Sequence, residues 1–442
     1  MGKKKLTIIL LVMPIILLVI INLLTVFTPE IGFDSLWYHL TLPKLWLLKH
    51  QWYFDGGLLY YSVMPRLTET LFIPLIKYFD FMGPKLLLYI SGIGTSIIVW
   101  KLIKKLSLST MSQILGVSLF YCTWLVSWQS GSSYIDLFRT FLEIIALWFL
   151  VSGSWVKGGI FLGLSIGTKW LSLGSLAIYA VVFGLPLTLP AFLLAAPWAA
   201  IALAYTGNPF YPLFDTILHN SFAPIFQIIK RVFFLPLTLT IPFDDFLSPM
   251  VFILIIFSFL SLFNNDKRIR QISAIGILGA IFSVSLEPPS SRYFLPFFPA
   301  IIIAALATVD QLKPVFQRYF IFLCILSSFL VLGMRVVANI KYIPYLSGKQ
   351  NINTFLTDIS YRLPDTFIDS DNFVKNEIPK NSKILIDKIH NLYYFPYDFD
   401  HTSWANADTQ YEYLITKDSD PQKTKGELIH TNPIGIQIYK LK

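Results

Sequence analysis

Between Glu30 and Pro43 the chain places the Asp34 carboxylate, the Tyr38 phenol and the His39 imidazole within six residues, directly after the first long apolar run. Ionisable groups at a membrane boundary are costly to keep there and mark a candidate site. A carboxylate at that depth suits a general base that takes the proton of an attacking hydroxyl. Asp34 is the candidate for this role. On a helix of about 3.6 residues per turn His39 lies about 140° around from Asp34, so the two do not pair within one helix. Tyr38 is read as substrate-binding, and His39 as substrate-binding or as an interfacial His in a structural hydrogen bond. Two cations stand out: Lys169, in the Gly-rich run 163–170 with no neighbouring acid in sequence, and Arg292, beside aromatics at the entrance to a later apolar run. Cations held in a dry site stabilise a growing negative charge, and arginine can grip phosphate oxygens bidentately.

Further candidates come with structural alternatives. Asp136, Arg139 and Glu143 share one helix face by their i, i+3, i+7 spacing. Asp136, at the outer end, is read as lining the site, with an ion pair to Arg139 as its alternative; Arg139 and Glu143 are read as structural ion-pair partners. Glu69 binds substrate or pairs with Arg66 three residues before it. Asn208, preceding Pro209, is a turn former that also lines the cavity. The alternative for Asp34, weighed below the base, is a helix N-cap, although Trp37 rather than Glu or Gln occupies N3. Lys169 could snorkel to the interface, and Arg292 could anchor lipid headgroups.

The segment around Asp34, Tyr38-His39 and Pro43 resembles the opening signature of GT-C-type membrane glycosyltransferases. This group includes the protein O-mannosyltransferase-like and aminoarabinose-transferase-like enzymes. Tyr134-Ile135-Asp136-Leu137, the run from Gly163 to Trp170, Thr206-Gly207-Asn208-Pro209-Phe210-Tyr211-Pro212 and Ser291-Arg292-Tyr293-Phe294-Leu295-Pro296 follow in the same order. The likeness extends over residues 1–335. It implies a polyprenyl-phosphate sugar as donor, transfer of a hexosyl or pentosyl group on the outer face, and a lipid, glycan or protein hydroxyl as acceptor. A single displacement inverts the anomeric centre and needs one base and no enzyme nucleophile. Where well-studied members carry two adjacent acidic residues, this chain has Asp34-Ser35, with Glu30 the nearest second carboxylate. No cofactor is required by the sequence, and a divalent metal stays open.

Composition sets the same frame. The chain has 442 residues, of which 55% are hydrophobic and 14% charged, so a soluble enzyme is excluded. The net charge of +9 resides mostly in Lys and Arg flanking apolar runs, where they orient spans and meet anionic lipid rather than nucleic acid. No phosphate-binding Gly-rich loop or dinucleotide fingerprint occurs, which argues against nucleotide-sugar chemistry. The six His show no metal-ligand spacing, and Cys122 and Cys324 lie in apolar runs as packing residues. The basic start followed by an apolar run to Phe27 reads as an uncleaved signal anchor.

Apolar runs at 6–27, 86–103, 111–129, 136–151, 158–205, 248–263, 271–286, 293–309 and 319–337 are the expected spans. Placing every basic cluster in the cytoplasm requires three crossings within 158–205, with breaks near Lys169 and Pro186 to Pro190. The fold expected is a membrane all-α protein of about 11 transmembrane helices, with amphipathic helices at 34–49 and 64–79 in the first outer loop. Residues 1–338 form the GT-C-like domain. Residues 339–442 form a small extracytoplasmic α/β domain, with strands at 382–387, 411–416 and 434–439 and helices near 350–360 and 370–377. The N-terminus is cytoplasmic; the site, the loop 206–247 and the C-terminal domain lie outside. Two other functions compete. A flippase or carrier for a lipid-linked sugar precursor would need access from both sides and commonly shows two matching halves, which this chain lacks. A non-enzymatic assembly protein would have no use for Asp34, Lys169 and Arg292.

Overall fold

The computed structural model describes residues 2–52, 54–214, 222–241, 247–417 and 426–441; parts of the expected outer loop 206–247 fall outside these. The helices in chain order are α1 (Lys3–Val26), α2 (Thr41–Lys49), α3 (Leu67–Phe79), α4 (Met82–Lys105), α5 (Thr110–Tyr121) and α6 (Trp124–Gln129). After these come α7 (Asp136–Val151), α8 (Trp155–Thr168), α9 (Ser172–Phe183), α10 (Thr188–Thr206), α11 (Ile225–Phe233) and α12 (Leu235–Thr240). The last group is α13 (Val251–Leu260), α14 (Lys267–Ser285), α15 (Ser291–Phe294), α16 (Phe298–Val309) and α17 (Pro314–Asn339). Among the described residues, five helical segments are long and apolar enough to cross a bilayer: Lys4–Val26, Met82–Lys105, Leu185–Thr206, Ser291–Val309 and Pro314–Leu346.

Apolar character alone does not place these helices; the small residues do. Ile301 to Leu306 in α16 are fully buried, and α16 packs against α13, α14 and α5 as the central post. Its approach to α14 depends on Gly276, where an added Cβ would sit 2.8 Å from the Ile301 side chain. By contrast α1 is peripheral: Ile16, Ile20 and Leu24 are exposed along one face while Leu11, Leu18 and Asn22 are buried on the other. An apolar face exposed in this way belongs against lipid. The Gly163–Gly167 spacing serves close packing, as its pattern implies. A Cβ at Gly163 would lie 2.6 Å from the Ala191 carbonyl oxygen, so α8 and α10 touch backbone to backbone.

The stretch 158–205, in which Lys169 is the single charged residue, folds as three helices broken where expected. Lys169 is extended (φ −162°, ψ 131°) between α8 and α9, and a 3-10 turn, Leu185–Leu187, leads into α10. The run 111–129 differs from expectation: it is two helices, α5 and α6, parted at Thr123, whose backbone is extended and whose hydroxyl donates back to Leu119 O at 2.6 Å. In the first loop, 34–49 splits into a π-helical turn, Ser35–His39, and α2, while α3 accounts for 64–79.

The molecule has two chemically different ends. At one, basic connections meet: Arg268 Nη1 donates to Lys105 O (3.4 Å), the Ser109 N–H donates to Asp310 (2.8 Å), and Lys105 lies over the Trp148 ring. At the other, the first loop, the turn after α6, the Lys169 break and the turn before α15 converge with the C-terminal region. That region carries a five-stranded sheet of β1 (Ile384–Asp387), β2 (Asp400–His401), β3 (Tyr413–Lys417), β4 (Gly426–Thr431) and β5 (Ile436–Leu441), in the order β2-β1-β3-β5-β4. β1 runs parallel to β2 and β3; β5 is antiparallel to β3 and β4. With the helices Ile352–Asp358 and Phe373–Glu377 this makes a small α/β unit.

Candidate active site

The Asp34 side chain makes no capping hydrogen bond, so the N-cap alternative fails. Its Oδ2 instead accepts from Arg292 Nη1 at 2.6 Å, joining the first loop to the start of α15. Tyr134, in the turn before α7, braces both partners. Its Oη accepts the Asp34 N–H at 3.3 Å, and its ring lies under the Arg292 guanidinium, 5.1 Å from centroid to Cζ. Two residues on, Asp136 opens α7 and accepts from Lys169 Nζ at 2.9 Å. Lys169 therefore has the acid partner that its sequence neighbourhood lacks. It reaches that partner because the break after α8 turns it toward α7, over the Tyr293 ring at 5.8 Å. Arg292 also feels the Asp136 charge, so two carboxylates and two cations form one connected group.

Exposure decides which of these could meet a ligand. The Asp34, Arg292 and Lys169 side chains are each about one-fifth accessible (19%, 20% and 19%), whereas Asp136 is 1% accessible. Asp136 thus holds Lys169 from a buried position, and the other three remain partly accessible.

A second group adjoins the first. His39 Nδ1 lies 2.6 Å from Glu69 Oε1, and Arg66 Nη1 donates to the same oxygen at 2.9 Å. Burial raises the Glu69 carboxyl, but Arg66 and His39 outweigh it and hold the group below its ordinary range. Arg66 also sits over the Tyr38 ring (5.6 Å), which packs on Tyr61 (4.6 Å). The pairing with Arg66 is the reading of Glu69 that the structure shows. Its Oε2, and Nε and Nη2 of Arg66, are buried with no hydrogen-bond partner among the described residues.

Asn208 stays apart from both groups. Its Oδ1 accepts the Phe210 N–H and its Nδ2 donates to Leu213 O, so its amide is occupied by its own turn. Arg139 pairs with Glu143 (2.8 Å) rather than with Asp136, deep between helices. In the C-terminal region His401 faces Ser403 while Asp398 and Asp400 face Lys49. Among the described residues no group of three or more His, Cys, Asp or Glu side chains is gathered as a metal set.

Four side chains of this site escaped the sequence reading: Tyr61, Arg66 as a site residue, Tyr134 and Tyr293. Tyr134 and Tyr293 lie inside the segments that carry Asp136 and Arg292, where the sequence gives no reason to single out the rings. No spacing rule pairs Tyr61 with Tyr38.

No protein-family model matches the sequence, and no curated protein matches it. Solved structures do. ArnT from Cupriavidus metallidurans bound to undecaprenyl phosphate matches with a TM-score of 0.64 at 11% identity, over 99% of this chain and 98% of that one. The apo state of ArnT from the same organism matches with a TM-score of 0.63 at 11% identity, over 97% of each chain. The fold is that of ArnT. An ArnT-like fold is what the resemblance around Asp34 implied, and it extends through the C-terminal sheet. With its long apolar helices the chain is an integral membrane protein of this architecture. At 11% identity the ArnT-like fold positions the elements and leaves the role of each side chain to local geometry.

Proposed function

We propose that this protein is a membrane glycosyltransferase that moves a sugar from a polyprenyl-phosphate donor to an acceptor hydroxyl, with Asp34 as general base. The observation that carries this reading is the partly open carboxylate of Asp34 set among the cations Arg292 and Lys169 at the end of an ArnT-like bundle. The ArnT structure holding undecaprenyl phosphate supports a polyprenyl-phosphate partner. As the acceptor oxygen bonds to the anomeric carbon, its proton passes to Asp34. The bond from that carbon to the phosphate oxygen breaks on the opposite side, and its electron pair leaves with the phosphate. Arg292 and Lys169 balance that charge. Inversion follows from the single displacement. Tyr38 lines the flank where sugar or acceptor sits, with His39 and Glu69 buried behind it.

The reading also assigns an orientation. The segments without basic clusters meet around Asp34, and the basic connections meet at the far end, which belongs in the cytoplasm. Taking α5 with α6 and α15 with α16, the helices supply about 11 crossings, with the site and residues 339–442 outside. The test is Asp34→Asn in reconstituted protein against a panel of polyprenyl-phosphate sugars. Transfer should fall roughly 10²- to 10⁴-fold with donor binding retained. Undiminished transfer by the variant sinks the base assignment. Lipid translocation without transfer by the wild type would favour the carrier.

A further inference from the structure

Glu30, four residues before Asp34, stands in sequence as the nearest second carboxylate and could be taken for a partner base or a metal ligand. Its geometry leaves no room for either. The residue is 2% exposed. Its Oε1 accepts the backbone N–H groups of Ile31 (2.9 Å) and Gly32 (2.7 Å), and its Oε2 accepts the N–H of Ser133 at 2.8 Å. Its own carbonyl accepts from Tyr394 Oη at 2.7 Å. Both carboxylate oxygens are directed at backbone donors of two separate segments. A buried carboxylate persists only when hydrogen-bonded and compensated. Here Lys85, which donates to Thr28 O at 2.7 Å, and Lys341 lie within its electrostatic reach.

We infer that Glu30 is a positioning residue that stitches the loop bearing Asp34 to the turn bearing Tyr134, and so sets the base against its Arg292 platform. This rests on Asp34 being the base, as proposed above. Ser133, the far end of the stitch, immediately precedes Tyr134, which accepts the Asp34 N–H and underlies Arg292. Gly32, the near end, touches the same ring: a Cβ there would lie 2.5 Å from Tyr134 Cε2 and 3.0 Å from Glu30 Oε1. The stitch and the missing Cβ together fix how far the Asp34 backbone stands from Tyr134. A shift of about 1 Å in a reacting group can cost on the order of 10²-fold in rate. Tyr394 adds a third anchor, from the C-terminal region, on the same residue.

The experiment uses full-length protein in lipid nanodiscs and compares wild type with Glu30→Gln, Glu30→Asp and Asp34→Asn. The glutamine keeps the volume but sets an amide NH2 against the Ser133 N–H, or against those of Ile31 and Gly32. The aspartate is too short to span both segments. Amide hydrogen exchange should accelerate in both Glu30 variants at residues 29–34 and 131–135, with the helices unchanged, and should not change in Asp34→Asn. With a polyprenyl-phosphate sugar as donor, kcat should fall roughly 10- to 100-fold in both Glu30 variants while donor KM and the shape of the pH–rate profile hold. Unchanged exchange in both segments overturns the stitch. Loosened segments with undiminished kcat overturn its bearing on catalysis. Loss of a limb of the pH profile would show that Glu30 moves a proton itself. If the wild type transfers no sugar from any such donor, the glycosyltransferase reading falls, and the exchange pattern alone still decides whether Glu30 holds the two segments together.

Discussion

Glu69 shows how much of this site is held by charge rather than by packing. One of its oxygens takes both His39 and Arg66, with all three side chains almost fully buried. Breaking such a pair strands a charge away from water and typically costs about 3–5 kcal/mol. Glu69→Ala should therefore lower stability by about that amount, seen as an earlier thermal unfolding transition in detergent; an unchanged transition would mean that Arg66 finds another partner. At this scale the sequence named the participants well and their pairings poorly. Asp34, Arg292, Asp136 and Lys169 were each singled out by type and setting. Helix periodicity, however, speaks only of residues a few turns apart. Asp136 and Lys169 are separated by 33 residues, and Asp34 and Arg292 by 258. The Arg66–Glu69 pair, at i and i+3, was legible for the same reason that the others were not.

Elements place these groups through their interruptions. The break between α8 and α9 carries Lys169, and it is pinned from below: Glu143 Oε1 accepts from Ser165, Ser172 and Ser175 at 3.0–3.1 Å as well as from Arg139. Serines on both sides of the break thus hang from one carboxylate of α7. α8 is held on its other side by α10 through Gly163. Gly163→Val would drive a side chain into the Ala191 carbonyl, and overpacking of this kind costs about 1–3 kcal/mol. The expected result is a lower unfolding temperature together with weaker donor binding, because α8 leads directly into Lys169. Weaker binding without destabilisation would place Gly163 elsewhere in the mechanism. Helices were readable wherever apolar runs ended at charge, Gly or Pro. The α5–α6 break was not, since Cys122 and Thr123 interrupt the helix without interrupting hydropathy. Nor were β2, of two residues, and β4, whose exposed edge lacks the alternation that marks a half-buried strand.

On the scale of the whole molecule, the bundle and the C-terminal region share a core. Leu42, Leu45 and Trp46 of α2 lie in one apolar cluster with Ile384, Ile386, Phe395, Ile415 and Ile438 of the sheet region. Polar ties surround it: Lys44 donates to the carbonyls of Tyr393 and Phe395, Lys49 pairs with Asp400 at 3.0 Å, and Tyr393 donates to Asp80. Since α2 follows directly from the turn carrying Asp34 and His39, whatever seats α2 also seats the site. Trp46, 4% exposed, is the largest side chain α2 contributes to this cluster. Truncating a buried Trp to Ala costs about 3–5 kcal/mol, and here the loss falls on the joint between the two regions. Trp46→Ala should release the C-terminal region to protease at concentrations that leave the wild type intact, and sugar transfer should fall with it although no catalytic side chain has changed. Protease resistance equal to the wild type would assign the joint to the lysine ties instead. Transfer that survives release of the C-terminal region would show that α2 holds its place through α3 alone.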